Sequence, residues 1–367
     1  MPASVPPDLA LVAVLDSNPS RCAEIGVALM SLYRVKSFPD AGRALAGIQA
    51  TRPDILLIDE AATPGGGYAI AQSIRQNTTM ADLPIIMVAN GPEDKVRDLC
   101  RRAAIDDYLI KPYRRSLLLK RITGILNKTI EKSWDLLPDT QKRALRGTVD
   151  IFNNISDVIA TGEPLPFGSV ADACAPLVEA VNNHDFKSIL NGVKDYDNYS
   201  YAHSMRVATL LSLFGCAAGI QGKDQLVLAS GGLVHDAGKM SIPHEVLNKP
   251  GRLDEAEFAI MKSHVTHTIS FLEACSEIPK SVTIIAAQHH EKIDGTGYPY
   301  GLKAGELNEL ARMAAIVDVF SALTDRRVYK PSMEPETALT LMNDQMKNHL
   351  DQHFLALFKT MLLDAVL

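Results

Sequence analysis

The segment LVHDAGKMSIP, residues 233–243, decides the fold of the C-terminal half of the chain. His235 and Asp236 follow an apolar run at 225–234, which predicts a helix that ends at this pair. Neighbouring residues of a helix point about 100° apart, so both side chains reach one centre only near a helix end, which Gly238 permits. An adjacent carboxylate and imidazole suit a site with two metal ions. An isolated His-Asp pair, however, is more often a buried histidine whose hydrogen bonds are satisfied within the protein core.

Similar side chains recur further along the chain. His264 lies on the next predicted helix, His289 and His290 end another apolar helix, and Asp318 lies inside the apolar run 313–323. An unpaired buried carboxylate is costly, whereas one or two divalent cations make such a cluster favourable. Nitrogen and oxygen ligands without thiolates favour iron, manganese, nickel or zinc over magnesium or calcium. The pattern therefore predicts a metal site between helices.

The N-terminal third of the chain follows a different pattern. Short apolar runs, which predict strands, lie at 9–15, 54–58, 84–88 and 107–110, and helical segments lie at 21–33, 68–76 and 93–103. Apolar strands separated by helices predict a doubly wound α/β domain with a parallel sheet. Such sheets bind ligands at the carboxyl ends of their strands, where Asp16 and Asp59 stand.

We therefore expect a multidomain protein with an α/β domain at 1–125, a helical connector at 126–187 and an all-α domain at 188–367. The net charge of −6 gives no electrostatic footprint for binding nucleic acid or a membrane. Five widely spaced cysteines without a CxxC pair, and a start without a basic signal-peptide region, favour a reducing, cytoplasmic location.

Residues 190–331 resemble an HD-GYP domain, the branch of the HD phosphohydrolase superfamily that hydrolyses cyclic di-GMP. The matching segments are YAHSMRV (201–207), LVHDAGKMSIP (233–243), LNKPGRL (247–253), KSHVTHT (262–268), HHEKIDGTGYPYGL (289–302) and IVDVFSALTDRRVYK (316–330). The resemblance implies seven metal ligands, which are His203, His235, Asp236, His264, His289, His290 and Asp318. It also implies that Asp236 bridges two cations and that Lys239 contacts the scissile phosphate.

The same resemblance implies the reaction and further substrate contacts. Two divalent ions would lower the pKa of a bridging water, and the hydroxide would open cyclic di-GMP to linear pGpG, with cleavage onward to GMP left open. Arg206 and Arg327 fall on basic positions of the family that would make weaker phosphate contacts or structural contacts. In the loop after the histidine pair, Gly297, Tyr298 and Pro299 would contact guanine, dock a GGDEF-type partner or form a structural lid.

Some positions depart from the family pattern. Tyr199 stands four residues before His203, where members with three metals carry an acidic ligand, so we predict a dinuclear site and accumulation of pGpG. Thr268 and Val265 replace the usual glycine and proline, which affects packing more than chemistry. Among the remaining histidines, we expect His267, His349 and His353 to lie on helix surfaces rather than to bind metal.

The N-terminal domain resembles a receiver domain of two-component signalling through PDILLID (53–59) and DDYLIKP (106–112). The resemblance implies that Asp59 is the phosphoacceptor, that Asp16 belongs to the acidic pocket and that Lys111 contacts the phosphoryl group. It also implies a sensor histidine kinase as partner.

Two substitutions weaken the predicted switch. Ser17 stands where a second acidic residue would help to hold magnesium, and Ala89 stands where a serine or threonine would bond the phosphoryl group. A receiver switch needs that hydrogen bond to choose between two packings. We therefore predict a docking or homodimerisation module rather than a working switch.

Three hypotheses for the function stay open. The first is a cyclic di-GMP phosphodiesterase with a dinuclear centre, and the complete set of ligands together with Lys239 favours it. The second is a metal-loaded protein that senses the nucleotide or recruits a cyclase without useful turnover. The third is an HD hydrolase for another nucleotide, including a mixed cyclic dinucleotide.

Overall fold

The computed structural model describes residues 10–29, 32–249, 251–325 and 332–366 of the 367-residue chain. The chain forms two compact units that meet in sequence between Lys128 and Thr129. None of the described helices combines the length and the apolarity needed to cross a bilayer.

The first unit is a parallel sheet with helices on both faces, which confirms the predicted doubly wound α/β fold. Its strands are β1 (Leu11–Leu15), β2 (Arg34–Phe38), β3 (Ile55–Asp59), β4 (Ile85–Ala89) and β5 (Asp107–Ile110), and its helices are α1 (Pro19–Leu29), α2 (Ala41–Ala50), α3 (Gly67–Gln76), α4 (Glu93–Arg102) and α5 (Arg115–Leu126). The strands pair in parallel in the order β2-β1-β3-β4-β5.

Side chains that alternate along β1 pack into two different hydrophobic clusters. Ala13 and Leu15 belong to one cluster, whereas Val12 and Val14 belong to the other. Because successive side chains of a strand point to opposite faces, the two clusters are the cores on the two faces of the sheet. This double burial is the reason that the central strands consist of unbroken apolar runs.

The second unit consists of helices, which confirms the predicted all-α fold of the C-terminal half. Its α-helices are α6 (Lys128–Trp134), α7 (Asp139–Thr161), α8 (Phe167–Asn182), α9 (Phe186–Val193), α10 (Tyr199–Ala217), α11 (Gly222–Val234), α12 (His244–Leu247), α13 (Glu255–Ala274), α14 (Lys280–Gln288), α15 (Glu309–Thr324), α16 (Pro335–Gln345) and α17 (Gln352–Val366). Short 3-10 helices lie at Ala237–Ser241 and Ala304–Glu306.

One hydrophobic core runs through this helical unit, from Trp134 to helix α17. Trp134 is buried, stacks on Tyr196 with 5.4 Å between ring centroids and donates its indole N–H to Gly192 O at 2.9 Å. The helices before α10 therefore share their core with the helices that carry the candidate metal ligands. Helix α10 is buried along most of its length, which places His203 deep in the unit.

Candidate metal centre

Seven titratable side chains converge in the helical unit. His203, His235, Asp236 and Asp318 form one group, and Asp236, His264, His289 and His290 form a second. Within each group, the candidate ligand atoms lie within 4.8 Å of one another. The structure thus brings together all seven residues that the sequence singled out, and Asp236 belongs to both groups.

The two oxygens of Asp236 face different imidazoles. Its Oδ2 lies 3.2 Å from His235 Nε2 and 3.7 Å from His203 Nε2. Its Oδ1 lies 3.2 Å from His264 Nε2 and 3.7 Å from His289 Nε2. A carboxylate divided in this way between two sets of nitrogen donors has the arrangement of a bridge between two cations.

Asp318 is divided in a similar way. Its Oδ1 lies 3.0 Å from His203 Nε2 and 3.7 Å from His235 Nε2, and its Oδ2 lies 3.7 Å from His290 Nδ1. Asp318 therefore lies near residues of both groups, although by the distances among ligand atoms it belongs to the group of His203 and His235. The sequence did not predict that Asp318 also faces both groups, because this depends on how α15 packs against α10 and α14.

Three of the imidazoles are held in one orientation by their own helices. The Nδ1 atoms of His235, His264 and His289 lie 2.6–2.8 Å from the carbonyl oxygen three residues earlier. Because a carbonyl only accepts, Nδ1 donates to it, and Nε2 is then the nitrogen that faces the cluster and is placed to bind a cation. In addition, these three Nε2 atoms and Asp236 Oδ1 make no hydrogen bond of good geometry to any described residue.

The carboxyl groups of the cluster are held in their charged form. Burial alone would raise the pKa of Asp236, but the charges of His235 and Lys239 outweigh it and hold this pKa well below its ordinary value. Burial is likewise outweighed at Asp318, where the neighbouring imidazoles of His203 and His235 hold the pKa well below its ordinary value. Two buried carboxylates are thus ionised in a region from which water is largely excluded.

The imidazoles divide into two classes. Burial and the neighbouring His290 lower the pKa of His289 well below its ordinary value, and burial also lowers the pKa of His290. At His235 and His203, burial is outweighed by the aspartates, which raise both pKa values. A cation bound to these two imidazoles would displace their protons, so its binding would release protons.

The donor set fits divalent transition metals. The cluster offers imidazole nitrogens and carboxylate oxygens, and its buried Nε2 lone pairs are otherwise unsatisfied. Unpaired buried polar atoms are costly, and cations that accept nitrogen and oxygen ligands would remove this cost. The residues present therefore fit the metal ions that the resemblance implies.

The turn after His235 and Asp236 explains why a glycine follows them. Helix α11 ends at Val234, directly before the pair, and Gly238 is not among the described glycines with a positive φ. Instead, a Cβ atom at Gly238 would lie 2.1 Å from His264 O, so this turn packs directly on the backbone of α13. Thr268 strengthens the contact, since its Oγ1 accepts from Gly238 N and donates to His264 O, both at 2.9 Å.

The loop that follows His290 covers one side of the cluster. The ring of Tyr298 lies beside that of His290, with 4.7 Å between the ring centroids. It also packs edge-to-face with Phe258, with 6.2 Å between the ring centroids. Gly297 approaches the chain so closely that a Cβ atom there would lie 2.4 Å from Glu291 Cα. The predicted substrate contacts Gly297, Tyr298 and Pro299 are all half-buried at this point.

Glu291, which the sequence analysis did not single out, anchors this loop. Its buried carboxylate accepts backbone N–H bonds from Tyr300 at 2.6 Å, Gly301 at 3.1 Å and Leu302 at 3.0 Å. A carboxylate that satisfies three backbone donors fixes the path of the loop. Its position directly after the histidine pair is the signal that could have identified it.

The predicted basic contacts have different surroundings. Lys239 forms an ion pair with Asp236 at the edge of the cluster, with 15% of its side chain exposed. Arg206 pairs with Asp325 at 3.1 Å and donates to Thr324 Oγ1 at 2.9 Å. Arg327 lies outside the described residues. The substrate contacts of these three residues stay predictions.

The other histidines lie outside the two ligand groups. His267 and His353 are exposed on helices α13 and α17, as expected. His349 is not on a helix, contrary to expectation: it lies in the turn between α16 and α17, 3.7 Å from Asp294 in the loop that follows His290. Tyr199 stacks on His203 with 5.8 Å between ring centroids.

The receiver pocket, in the first unit, contains its own cations. Lys111 Nζ lies 2.6 Å from Asp59 Oδ2. The guanidinium of Arg21 binds Asp16 through Nε at 2.7 Å and Nη2 at 2.9 Å, and its Nη2 lies 3.5 Å from Asp59 Oδ1. The predicted residues Asp16, Asp59 and Lys111 thus come together, and Arg21 joins them without having been predicted.

The two substituted positions of this pocket carry no charge to replace the missing groups. Ser17 is exposed, and its hydroxyl bonds the hydroxyl of Thr63 at 3.0 Å. Ala89 is fully buried at the end of β4. The pocket therefore holds two carboxylates, and side-chain cations of the protein already contact both of them.

Comparison with known proteins matches each of the two domains to a known family. A family model described as an HD domain matches residues 188–354, and one described as a response regulator receiver domain matches residues 12–123. The cyclic di-GMP phosphodiesterase response regulator RpfG of Xanthomonas campestris is 26% identical over 313 residues, which cover 85% of this chain and 76% of that protein.

Two other relatives match less than half of the chain. A cyclic di-GMP phosphodiesterase of Pseudomonas aeruginosa is 38% identical over 43% of this chain and 38% of its own length. A 3'3'-cGAMP-specific phosphodiesterase of Vibrio cholerae is 35% identical over 44% of this chain and 35% of its own length. The chain thus spans less than two fifths of the length of these two relatives.

Among solved structures, an HDG"Y"P protein from Bdellovibrio bacteriovorus matches with a TM-score of 0.50 and 21% identity, over 65% of this chain and 78% of its own. At that identity, the likeness concerns the fold. The two matched family models give the architecture: the chain joins a response regulator receiver domain to an HD domain.

Proposed function

We propose that the helical domain, residues 188–367, hydrolyses a phosphodiester bond of cyclic di-GMP and releases linear pGpG. One observation carries the proposal: Asp236 directs its two oxygens at two separate sets of imidazoles. The relatives named cyclic di-GMP phosphodiesterases support the choice of substrate. The connector at 126–187 and the receiver domain at 1–125 then carry regulatory roles.

The cofactor that we propose is a pair of divalent cations, with iron or manganese favoured and nickel or zinc also compatible. The seven side chains of the two groups would hold them, with Asp236 shared. Bound cations would supply Lewis-acid polarisation of phosphate oxygens and a water of lowered pKa.

The residues at the edge of the cluster would bind and orient the substrate. Lys239 pairs with Asp236 while part of its side chain faces outward, so it can offset the negative charge that develops on the phosphate. Tyr298 presents an aromatic ring beside His290, where a guanine base could stack. Arg206 and Arg327 are proposed as weaker phosphate contacts.

The proposed product follows from the number of ligands near His203. Tyr199 packs on this imidazole, and a phenol is a poor ligand compared with a carboxylate. A third cation at this side would lack an acidic ligand from position 199. We therefore propose that cleavage stops after the first bond, so that pGpG rather than GMP accumulates.

For the receiver domain we propose a docking role, with a sensor histidine kinase as the partner class that its fold suggests. Arg21 and Lys111 already neutralise the two carboxylates of the pocket, which opposes the binding of magnesium that phosphotransfer requires. Homodimerisation, docking of a GGDEF-type protein through the loop of Tyr298, and a cytoplasmic location remain parts of this proposal.

A mixed cyclic dinucleotide is the second candidate substrate. Three relatives from Vibrio cholerae, each 33–35% identical over 42–45% of this chain, are named 3'3'-cGAMP-specific phosphodiesterases. The same ligands would serve both substrates, because the scissile phosphodiester is the shared group. The difference would lie in how the site holds the second base.

The test is a turnover assay on the full chain, reconstituted separately with manganese(II) and iron(II). Cyclic di-GMP and 3'3'-cGAMP are supplied separately, and products are separated by chromatography, with metal content measured by mass spectrometry. We expect pGpG from cyclic di-GMP and about two metals per chain. Preference for 3'3'-cGAMP would favour the second candidate, and tight nucleotide binding without product would favour a sensor.

A further inference from the structure

His203 is held differently from the other buried imidazoles of the cluster. The Nδ1 atoms of His235, His264 and His289 each face a backbone carbonyl. The Nδ1 atom of His203 instead lies 2.9 Å from Oδ2 of Asp325. Asp325 belongs to neither group of candidate ligands, and its side chain is only 11% exposed.

Helix α15 reaches both nitrogens of this imidazole. Asp318 lies 3.0 Å from Nε2, and Asp325, seven residues or about two helical turns later, lies at Nδ1. Asp325 is the residue at which the helix ends, with extended backbone angles of φ −72° and ψ 143°. Helix α15 and the residue at its end therefore contact both ring nitrogens of His203.

A cation on helix α10 holds Asp325 in turn. Arg206, one turn after His203, places Nη1 3.1 Å from Asp325 Oδ1 and donates from Nη2 to Thr324 Oγ1 at 2.9 Å. The two oxygens of Asp325 are thus assigned to different partners, one to Arg206 and one to His203. Because an ionised carboxylate only accepts, the proton between Asp325 and His203 belongs to Nδ1.

Helix capping does not account for an aspartate at this position. The C-terminal end of a helix carries a partial negative charge, which opposes a carboxylate there. The compensating contacts of Asp325 are instead the imidazole and the guanidinium on α10. The position therefore serves the contact with His203 rather than the end of α15.

We propose that Asp325 is a positioning residue for the metal centre, and that Arg206 acts on the centre through it. Asp325 fixes the rotation of the His203 ring and keeps the proton on Nδ1, so that the Nε2 lone pair faces the cations. Carboxylates that hold the remote nitrogen of a metal-binding histidine raise its strength as a ligand. The inference rests on the proposed metal binding and goes beyond it by adding a residue outside the seven ligands.

The test measures metal affinity without substrate. Manganese(II) is titrated by calorimetry into the metal-free full chain and its Asp325→Asn variant, and we expect binding to weaken by about 10- to 100-fold. Asp351→Asn is the matched control, because Asp351 is a partly buried carboxylate paired with Arg312 at 3.1 Å, outside both ligand groups. That control should leave the affinity within about twofold, since it removes no group near the cluster.

A double-variant cycle separates positioning from a general structural effect. In a His203→Ala background, Asp325→Asn should weaken manganese binding by less than about twofold, because the residue through which it acts is gone. The d–d absorption of bound cobalt(II) should also differ between the wild-type chain and Asp325→Asn. The inference would be overturned if Asp325→Asn weakened manganese binding as strongly in the His203→Ala background as in the wild-type chain. It would also be overturned if Asp325→Asn left both the manganese affinity and the cobalt spectrum unchanged.

Two further outcomes are covered by the design. If Asp325→Asn does not fold, Arg206→Gln replaces it, and an unchanged manganese affinity in that folded variant overturns the inference. If the wild-type chain binds neither manganese nor cobalt, the proposed metal-dependent function fails together with the inference. Wild-type binding with an unaffected Asp325→Asn variant removes the inference alone.

Discussion

The buried carboxylates of the helical domain and those of the receiver domain meet different partners. Asp236 faces imidazole nitrogens at 3.2–3.7 Å, and its Oδ1 makes no hydrogen bond of good geometry within the described chain. Asp16 instead accepts two bonds from the guanidinium of Arg21, and Asp59 accepts a bond from Lys111 at 2.6 Å.

This difference shows that a cluster of acids does not by itself indicate a cation site. In the receiver domain, the protein supplies the positive charge from Arg21 and Lys111. In the helical domain, Lys239 contacts one oxygen of Asp236, and several buried lone pairs remain unsatisfied. The unsatisfied site is the one that an external divalent cation stabilises.

The largest expected effect is that of Asp236→Asn on catalysis. Because Asp236 serves both ligand groups, its loss should lower kcat/KM for cyclic di-GMP at least about 1000-fold, or about 4 kcal/mol on the barrier. Steady-state assays with manganese(II) would measure it. A folded variant that retains more than a tenth of the activity would contradict the shared role of Asp236.

Metal removal should affect only one of the two domains. At a free cation concentration of about 100 times Kd, binding contributes about 2.7 kcal/mol to stability. Hydrogen exchange of the full chain, measured with manganese(II) and then with EDTA, should show lost protection in α10, α11 and α13 to α15. Equal changes in the strands of the receiver domain would refute the contrast between the sites.

Gly238→Ala should lower the free energy of unfolding of the helical domain by about 2 kcal/mol, because the added Cβ collides with the backbone of His264. Urea unfolding and manganese titration would both report it. Gly124→Ala in helix α5 is the matched control, since a Cβ there meets nothing within 4 Å. That control should stabilise the receiver domain by about 0.5–1 kcal/mol, and a destabilisation as large as that of Gly238→Ala would contradict the packing argument.

The smallest expected effect is that of Arg21→Gln on the receiver pocket. The guanidinium is about a third exposed, so its removal should improve magnesium binding by about 1 kcal/mol, or about fivefold. NMR titration of the full chain with magnesium would measure the affinity, and Arg43→Gln, on the exposed surface, is the control. If magnesium binds the wild-type chain as tightly as the variant, Arg21 does not stand in for the cation.

The sequence was informative where local pattern decides structure. The apolar runs identified β1, β3 and β4, which are buried on both faces of the sheet, and also the partly buried edge strand β5. Strand β2 was missed: RVKSF alternates and is only partly buried at the edge of the sheet. The short, alanine-rich helix α2 was missed with it. The extent of the connector remains a prediction.

Six of the seven candidate ligands could be predicted because imidazoles and carboxylates recur on successive apolar helices, and the resemblance to HD-GYP domains added His203. Partners that depend on helix packing could not. Asp325 meets His203 across 122 positions of sequence, and Arg21 reaches Asp59 only because α1 follows the end of β1. The close approach of Gly238 to the backbone of His264 could not be predicted either, because contact with another segment of the chain leaves no local signal.

The burial of Trp134 has a practical consequence for these measurements. The chain contains one tryptophan, and its indole is sequestered against Tyr196 and Gly192 in the helical domain. Intrinsic fluorescence excited at the red edge therefore monitors a single domain of the two. If the emission of Trp134 shifts at the temperature at which the receiver domain melts, unfolding spreads from one domain to the other. The fluorescence of this residue therefore reports whether the two domains unfold cooperatively.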